Sequence, residues 1–140
     1  MEIFKSFFTL IFRRRQDLLP LVIHKNSLGQ KGEEIACKAL EKEGYRIIEK
    51  NFRCRQGEID IIAEEKEILC FIEVKARSSE KFGLPEEAVR KWKQKKLLTV
   101  AVIYLEQKKI KSRDMRFDIV SVDLKTKKTR IIQNAFDVDF

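Results

Sequence analysis

The chain has 140 residues, 44% hydrophobic and 37% charged, with a formal net charge of +8 and a pI near 9.5. That length supports one substantial core rather than two, and the hydrophobic share excludes an entirely disordered chain. The positive balance favours an anionic partner, nucleic acid ahead of an anionic membrane surface.

Residues Met1–Phe12 form a short apolar stretch followed by Arg13, Arg14 and Arg15. The run is too short to span a bilayer, and its charges follow it where a secretory signal carries them in front. Phe4, Phe7, Phe8 and Ile11 recur at helical spacing, so residues 1–25 are expected to be an amphipathic leader or arm, packed on the domain or touching a membrane surface. Pro20 lies in the linker, and residues 26–140 form the expected domain. Cys37, Cys54 and Cys70 are scattered and odd in number, and His24 is the single imidazole. Neither a disulfide framework nor a zinc site follows, and a reducing cytoplasm is the expected setting. A hydrolytic triad would have to rely on His24 in the leader, which argues against that chemistry.

Ser27 suits a helix N-cap, with Gln30 at the capping-box position, and Gly44 supplies a stop. Leu28, Ile35, Ala36, Ala39 and Leu40 share a broad face. Glu33 lies at the edge of that face, where its carboxylate can look into a cleft; favourable interaction with the helix dipole accounts for the same acid equally well. Tyr45–Lys50 reads as a strand and Cys54–Gly57 as a turn. Gly57–Glu64 and Glu67–Lys75 read as strands joined at Glu65 and Lys66. Ser78–Pro85 reads as a loop before a long helix, with Pro85, Glu86 and Glu87 suited to its first turn. Arg116–Leu124 and Thr129–Asn134 are the last strands, joined by the polar Lys125–Lys128 turn. The order is αβββαββ, an α/β fold.

Four charges interrupt the central apolar hairpin: Glu58, Asp60, Glu73 and Lys75. Strand alternation gathers Glu73, Lys75 and Arg77 on the face of Leu69 and Phe71. A turn at Glu65 and Lys66 would set Glu64 opposite Glu67, Asp60 opposite Phe71 and Glu58 opposite Glu73. Asp60 would then be diagonal to Glu73, with Cα atoms about 7–8 Å apart. Ionised together, Glu58, Asp60 and Glu73 would repel, and a divalent cation relieves that repulsion. Mg²⁺ accepts carboxylate, phosphate and water oxygens; Lys75 could orient a water or steady phosphate charge. A solvated hairpin would carry the same charges without chemistry.

The long helix adds a second signal. Lys93 falls in the middle of the stripe formed by Val89, Leu97, Val100 and Tyr104, a costly place for an ammonium unless it reaches a wet cleft. Arg90, Lys91, Lys95 and Lys96 spread around the helix, where they can meet phosphates or simply be solvated. Trp92 suits packing better than base stacking.

The ordered set Gly32-Glu33, Gly57-Glu58-Ile59-Asp60, Glu73-Val74-Lys75, Arg116-Phe117-Asp118 and Asn134-Ala135-Phe136 closely resembles the YraN-like, or UPF0102, family, from about Asn26 to Phe136. That family resembles a branch of the restriction-endonuclease-like superfamily and is similar to archaeal Holliday junction resolvases. The resemblance implies a mixed central sheet flanked by helices and a metal-dependent nuclease centre. By it, Asp60 and Glu73 correspond to the two signature acids, Lys75 to the signature lysine, and Glu33 to the acid of the first helix. Ile59 stands where the signature often has proline.

The implied metal ligands are Glu33, Asp60 and Glu73, holding Mg²⁺ or Mn²⁺, with Lys75 as the fourth catalytic group and Glu58 supporting the ligands from behind. Arg77, Arg90, Lys91, Lys93, Gln94, Lys95 and Lys96 are the expected DNA contacts. The resulting expectation is a DNA endonuclease for branched substrates in repair or recombination, working as a homodimer if the substrate is a four-way junction. A nucleic-acid-binding protein that keeps the fold without cleavage is the alternative, and a small protein meeting an acidic partner is a third.

Overall fold

The computed structural model describes residues 27–78 and 89–137. The elements are α1 (Ser27–Lys42), β1 (Arg46–Cys54), β2 (Gly57–Glu65), β3 (Ile68–Arg77), α2 (Lys91–Gln107), β4 (Met115–Asp123) and β5 (Thr129–Ile132). The expected order αβββαββ is the observed one. The leader at residues 1–25 and the helix-start residues Pro85, Glu86 and Glu87 lie outside the described residues.

Helix α1 ends as its sequence suggests. Gly44 adopts φ +92°, Tyr45 N–H donates to Leu40 O at 3.0 Å and Gly44 N–H to Glu41 O at 3.0 Å, a Schellman stop that requires a left-handed residue at Gly44. Ser27 is the first helical residue, so the cap position falls on residue 26, outside the described residues. Ala36 and Leu40 are buried as expected and Cys37 is buried beside them, whereas Leu28 is 58% exposed because it belongs to the open first turn.

The sheet order is β1-β2-β3-β4-β5, antiparallel except for the parallel β3–β4 pair that α2 connects. Two apolar layers sandwich it. Leu97, Val100 and Tyr104 of α2 pack with Phe52, Ile62, Leu69, Phe71 and Phe117. Ala36, Cys37 and Leu40 of α1 pack on the other side with Ile61, Ala63, Cys70, Ile72, Val120 and Val122. Each layer buries side chains at roughly 1.5–3 kcal/mol apiece, so the strand alternation that sorts them is strongly enforced.

Three local expectations are corrected. β1 runs on to Cys54 and turns back through Arg55 and Gln56, instead of ending at Lys50. The β2–β3 turn uses Lys66 and Glu67, at φ +48° and +67°, instead of Glu65 and Lys66. Two positive φ values match the turn type that follows strand twist, even without glycine or asparagine. Moving the turn by one residue pairs Glu64 with Leu69 and Phe71 with Ile62, in place of Glu67 and Asp60. It also brings Glu65 into buried contact with Arg116, 3.1 Å from carboxylate to guanidinium. Finally, α2 starts at Lys91: Arg90 is extended at φ −67° and ψ 156° and acts as its cap, so Val89 and Arg90 precede the helix.

The Arg116-Phe117-Asp118 and Asn134-Ala135-Phe136 motifs form a clasp between β4 and the chain after β5. Asn134 N–H donates to Asp118 Oδ1 at 2.9 Å and Ala135 N–H to Phe117 O at 2.8 Å, while Phe136 stacks on Phe117 at 5.0 Å. Asp118, only 1% exposed, is neutralised by Arg116 at 3.0 Å and accepts from the Tyr45 hydroxyl at 3.0 Å. A buried carboxylate needs that full set of partners.

Candidate metal and nucleic-acid site

The site forms where β2 and β3 part. Their ladder runs from Glu65–Ile68 to Ile61–Ile72 and goes no further, while β2 continues along β1 to Gly57 and β3 continues along β4 to Arg77. Side-chain alternation breaks at the same point: Ile59 packs on the α2 side and Ile61 on the α1 side. The residue between them is Asp60, whose Oδ2 accepts the Val74 N–H at 2.9 Å. The carboxylate thus takes the place of a ladder carbonyl and stands at the fork, within reach of both faces. On neighbouring β1, Asn51 between the paired residues Lys50 and Phe52 has φ +55°.

This fork alters the predicted arrangement. Asp60 was expected opposite Phe71 and diagonal to Glu73 on one face; it lies beyond the ladder and meets acids from two faces. Glu58 was expected opposite Glu73; it pairs with Arg53 of β1, whose Nε donates to Glu58 Oε2 at 3.2 Å. Glu33, Glu58 and Asp60 each offer a carboxylate oxygen, all within 4.8 Å of one another. At an effective dielectric of about 20, ionised carboxylates at that spacing repel by roughly 3 kcal/mol per pair. Glu33 is 7% exposed, more deeply set than an edge position implies. It reaches the fork because α1 lies tightly on β3: a Cβ at Gly32 would fall 2.5 Å from the Ala76 Cβ.

Glu73 takes different partners. Lys93 of α2 forms a close ion pair with Glu73 Oε1, and Lys75 Nζ lies 3.6 Å from the same oxygen. Lys93 therefore reaches from the apolar stripe of α2 to a carboxylate, as its wheel position suggests. Burial, then the charge of Asp60, raises Glu73 above the ordinary carboxylate range, with Lys93 and Lys75 acting the other way. Burial and then Lys93 lower Lys75. Burial also works against the Lys93 ammonium, but the charge and hydrogen bond of Glu73 leave its pKa raised.

Glu58, Asp60, Glu73, Trp92, Lys93, Lys96 and Leu97 line a cavity of about 270 Å³. The Lys96 stem crosses above the β1–β2 turn, where a Cβ on Gly57, at φ +149°, would meet it at 2.9 Å. Lys91 and Lys95 are exposed on the same helix, as is Arg90 at its cap. Gln94 spends its side-chain amide on the Val89 carbonyl, at 2.9 Å, and so serves the helix start. Arg77 is partly buried at the far end of β3, where its carbonyl accepts from Leu124 N–H at 2.8 Å.

Oxygen donors suit Mg²⁺ or Mn²⁺. Oxygens around an octahedral Mg²⁺ lie about 2.9 Å apart when adjacent and about 4.1 Å when opposite, so Glu33, Glu58 and Asp60 would draw together to share one ion. Glu58 is the member of this group to which the family resemblance assigned only a supporting place. Its Gly57-Glu58-Ile59-Asp60 setting gave no sign of the fork, which depends on where two ladders end.

A five-stranded mixed sheet between helices, arranged αβββαββ, defines this protein as an α/β domain whose architecture is consistent with a restriction-endonuclease-like fold. Within that class, residues 32–122 match the model of "Uncharacterised protein family UPF0102". The chain is 43% identical over 133 residues to a UPF0102 protein of Syntrophus aciditrophicus, covering 94% of this chain and 98% of the relative. A UPF0102 protein of Caldanaerobacter subterraneus subsp. tengcongensis is 44% identical over 119 residues, 81% of this chain and 98% of the relative. One of Alkaliphilus metalliredigens is 49% identical over 111 residues, 79% and 97% respectively. The chain belongs to the UPF0102 family.

Proposed function

We propose that the protein is a metal-dependent DNA endonuclease that hydrolyses phosphodiester bonds, with branched DNA of repair or recombination as its substrate class. The observation that carries this reading is the convergence of Glu33, Glu58 and Asp60 within 4.8 Å beside the Lys75–Glu73–Lys93 cluster. A divalent cation held by Glu33, Glu58 and Asp60, and by Glu73 once freed from Lys93, would supply Lewis-acid stabilisation of the phosphate and of the departing oxygen. Lys75, whose pKa is lowered by burial and by Lys93, is suited to orient the attacking water and to steady the charge on the phosphate. Lys93, released from Glu73, would meet the negative phosphate. Arg90, Lys91, Lys95 and Lys96 would track the backbone. A four-way junction would call for two copies of the chain. The cytoplasm is the proposed compartment, and among the described residues no helix is long and apolar enough to cross a membrane.

The pairing of Glu73 with Lys93 and Lys75 favours one second reading: a nucleic-acid-binding protein in which the lysines permanently neutralise the second signature acid. One experiment separates the two. Purified wild type is incubated with labelled flap, four-way junction, duplex and single-stranded DNA in Mg²⁺, Mn²⁺ or EDTA, beside Asp60→Asn. Cleavage that needs metal and disappears in Asp60→Asn while binding persists is the expected result. Binding without cleavage by wild type in either metal would overturn the nuclease reading in favour of the second.

A further inference from the structure

The wall of the acidic cavity carries an exposed aromatic residue that the proposed catalysis does not use. Trp92 is 64% exposed, although a large aromatic side chain on a helix beside an apolar core would ordinarily turn inward. It lies in the first turn of α2, and its neighbour Lys93 does reach inward, to Glu73. Helical spacing places Trp92 on the side of Lys95 and Lys96 at i+3 and i+4, and both lysines are exposed. An indole at the mouth of a cavity containing Glu58, Asp60 and Glu73, flanked by ammonium groups, combines the two elements that recognise unpaired nucleic acid: an aromatic face for a base and cations for its phosphates.

We infer that Trp92 is a stacking platform for an unpaired base beside the scissile phosphate, so that the site takes single-stranded segments or the unpaired bases at a branch in preference to continuous duplex. This specificity role rests on the nuclease reading for the word scissile, but the stacking contact itself does not. A base within a duplex is already stacked on both faces, so an indole gains contact with it only at an end, a gap or a branch. The lysines, by contrast, act on phosphates of either form. Trp92 would therefore discriminate while Lys91, Lys95 and Lys96 would not.

Trp92 is the single tryptophan of the chain, so its emission reports the proposed contact directly. Asp60→Asn protein, which retains the cavity but should not cleave, is titrated at one fixed salt concentration with single-stranded DNA, a flap and blunt duplex. Fluorescence of Trp92 and anisotropy of labelled DNA are read together. Quenching by single-stranded and flapped DNA, with little by duplex, is expected. In the same background Trp92→Ala should bind single-stranded and flapped DNA about tenfold more weakly, within a range of about 5- to 150-fold, with duplex affinity unchanged. Trp92→Phe should recover most of the loss. Replacing Lys91, Lys95 and Lys96 by glutamate should weaken all three DNAs alike. Binding by anisotropy without quenching, equal losses for duplex and single strand in Trp92→Ala, or no DNA binding at all would overturn the inference. Quenching by polyglutamate in the absence of any DNA effect would point instead to an acidic protein partner and overturn it as well. Quenching and discrimination in a protein whose wild type never cleaves would leave the stacking role standing while the nuclease reading falls; cleavage with an unresponsive Trp92 would do the reverse.

Discussion

Replacing Asp60 tests the geometry of the fork, because its carboxylate has two separable functions. As an acceptor it satisfies Val74 N–H at 2.9 Å, and as a charge it shares a 4.8 Å cluster with Glu33 and Glu58 and also raises Glu73. Asp60→Asn keeps an acceptor oxygen and removes the charge; Asp60→Ala removes both. Losing the acceptor costs about 1–3 kcal/mol, toward the lower end here because the cavity admits water. Losing the charge removes repulsions of roughly 3 kcal/mol per pair before screening and forfeits some attraction to Lys93, for a net gain of about 1–2 kcal/mol. For a chain of this length about 1 kcal/mol corresponds to about 3 °C in melting temperature. In EDTA, Asp60→Asn should therefore melt about 3–6 °C above wild type. Asp60→Ala, where the two effects oppose each other, should fall clearly below Asp60→Asn. Adding Mg²⁺ at about a hundredfold above its dissociation constant should stabilise wild type by about 2.7 kcal/mol and either variant much less. Thermal unfolding followed by circular dichroism in EDTA and in Mg²⁺ or Mn²⁺ measures all of this. An Asp60→Asn protein that melts below wild type in EDTA, or that gains as much from metal, would show that Asp60 is a structural anion satisfied by lysine and would refute the reasoning.

Two further predictions concern how the elements are held. Gly32→Ala puts a methyl 2.5 Å from the Ala76 Cβ, which has no flexible end to move aside, so α1 must lift. The expected cost is about 1–3 kcal/mol together with loss of metal-dependent stabilisation as Glu33 withdraws; Ala76→Gly should restore both, and a wild-type melting curve for Gly32→Ala would contradict the close contact. The Tyr45 hydroxyl accepts from Arg116 and from Gln133, both at 2.9 Å, and burial is the chief reason its pKa is pushed up to about 12. A raised phenol pKa means that its contribution to stability is complete below pH 10, the unfolded value, and is lost as pH rises through about 12. Tyr45→Phe should cost about 1–3 kcal/mol at pH 7 and reduce the fall in stability between pH 10 and 12, as urea titrations across that range would measure. The Cys70 thiol, also pushed up to about 12 mainly by burial, remains in the variant and should preserve part of that alkaline loss. An alkaline limb unchanged by the substitution would remove Tyr45 from the explanation.

The amino-acid sequence by itself determined the order αβββαββ, because apolar periods of two and near 3.6 separate strands from helices without knowledge of their neighbours. It also determined that Glu73 and Lys75 share a strand face and that Lys93 is misplaced in an apolar stripe, both consequences of local geometry. The ordered motifs identified the family. Ladder ends, by contrast, depend on partners far along the chain. A turn displaced by one residue, to Lys66 and Glu67, changed every partner across the hairpin, and only three-dimensional pairing shows β2 parting from β3 on the Asp60 side of Ile61. That departure sets Asp60 between the two faces, where Glu33 from α1 and Glu58 join it while Glu73 turns to Lys93 of α2. The sequence thus supplied the acids and the lysines; tertiary structure decided which acid stands next to which charge, since that depends on backbone hydrogen bonds completed on one side of the fork and replaced by a carboxylate on the other.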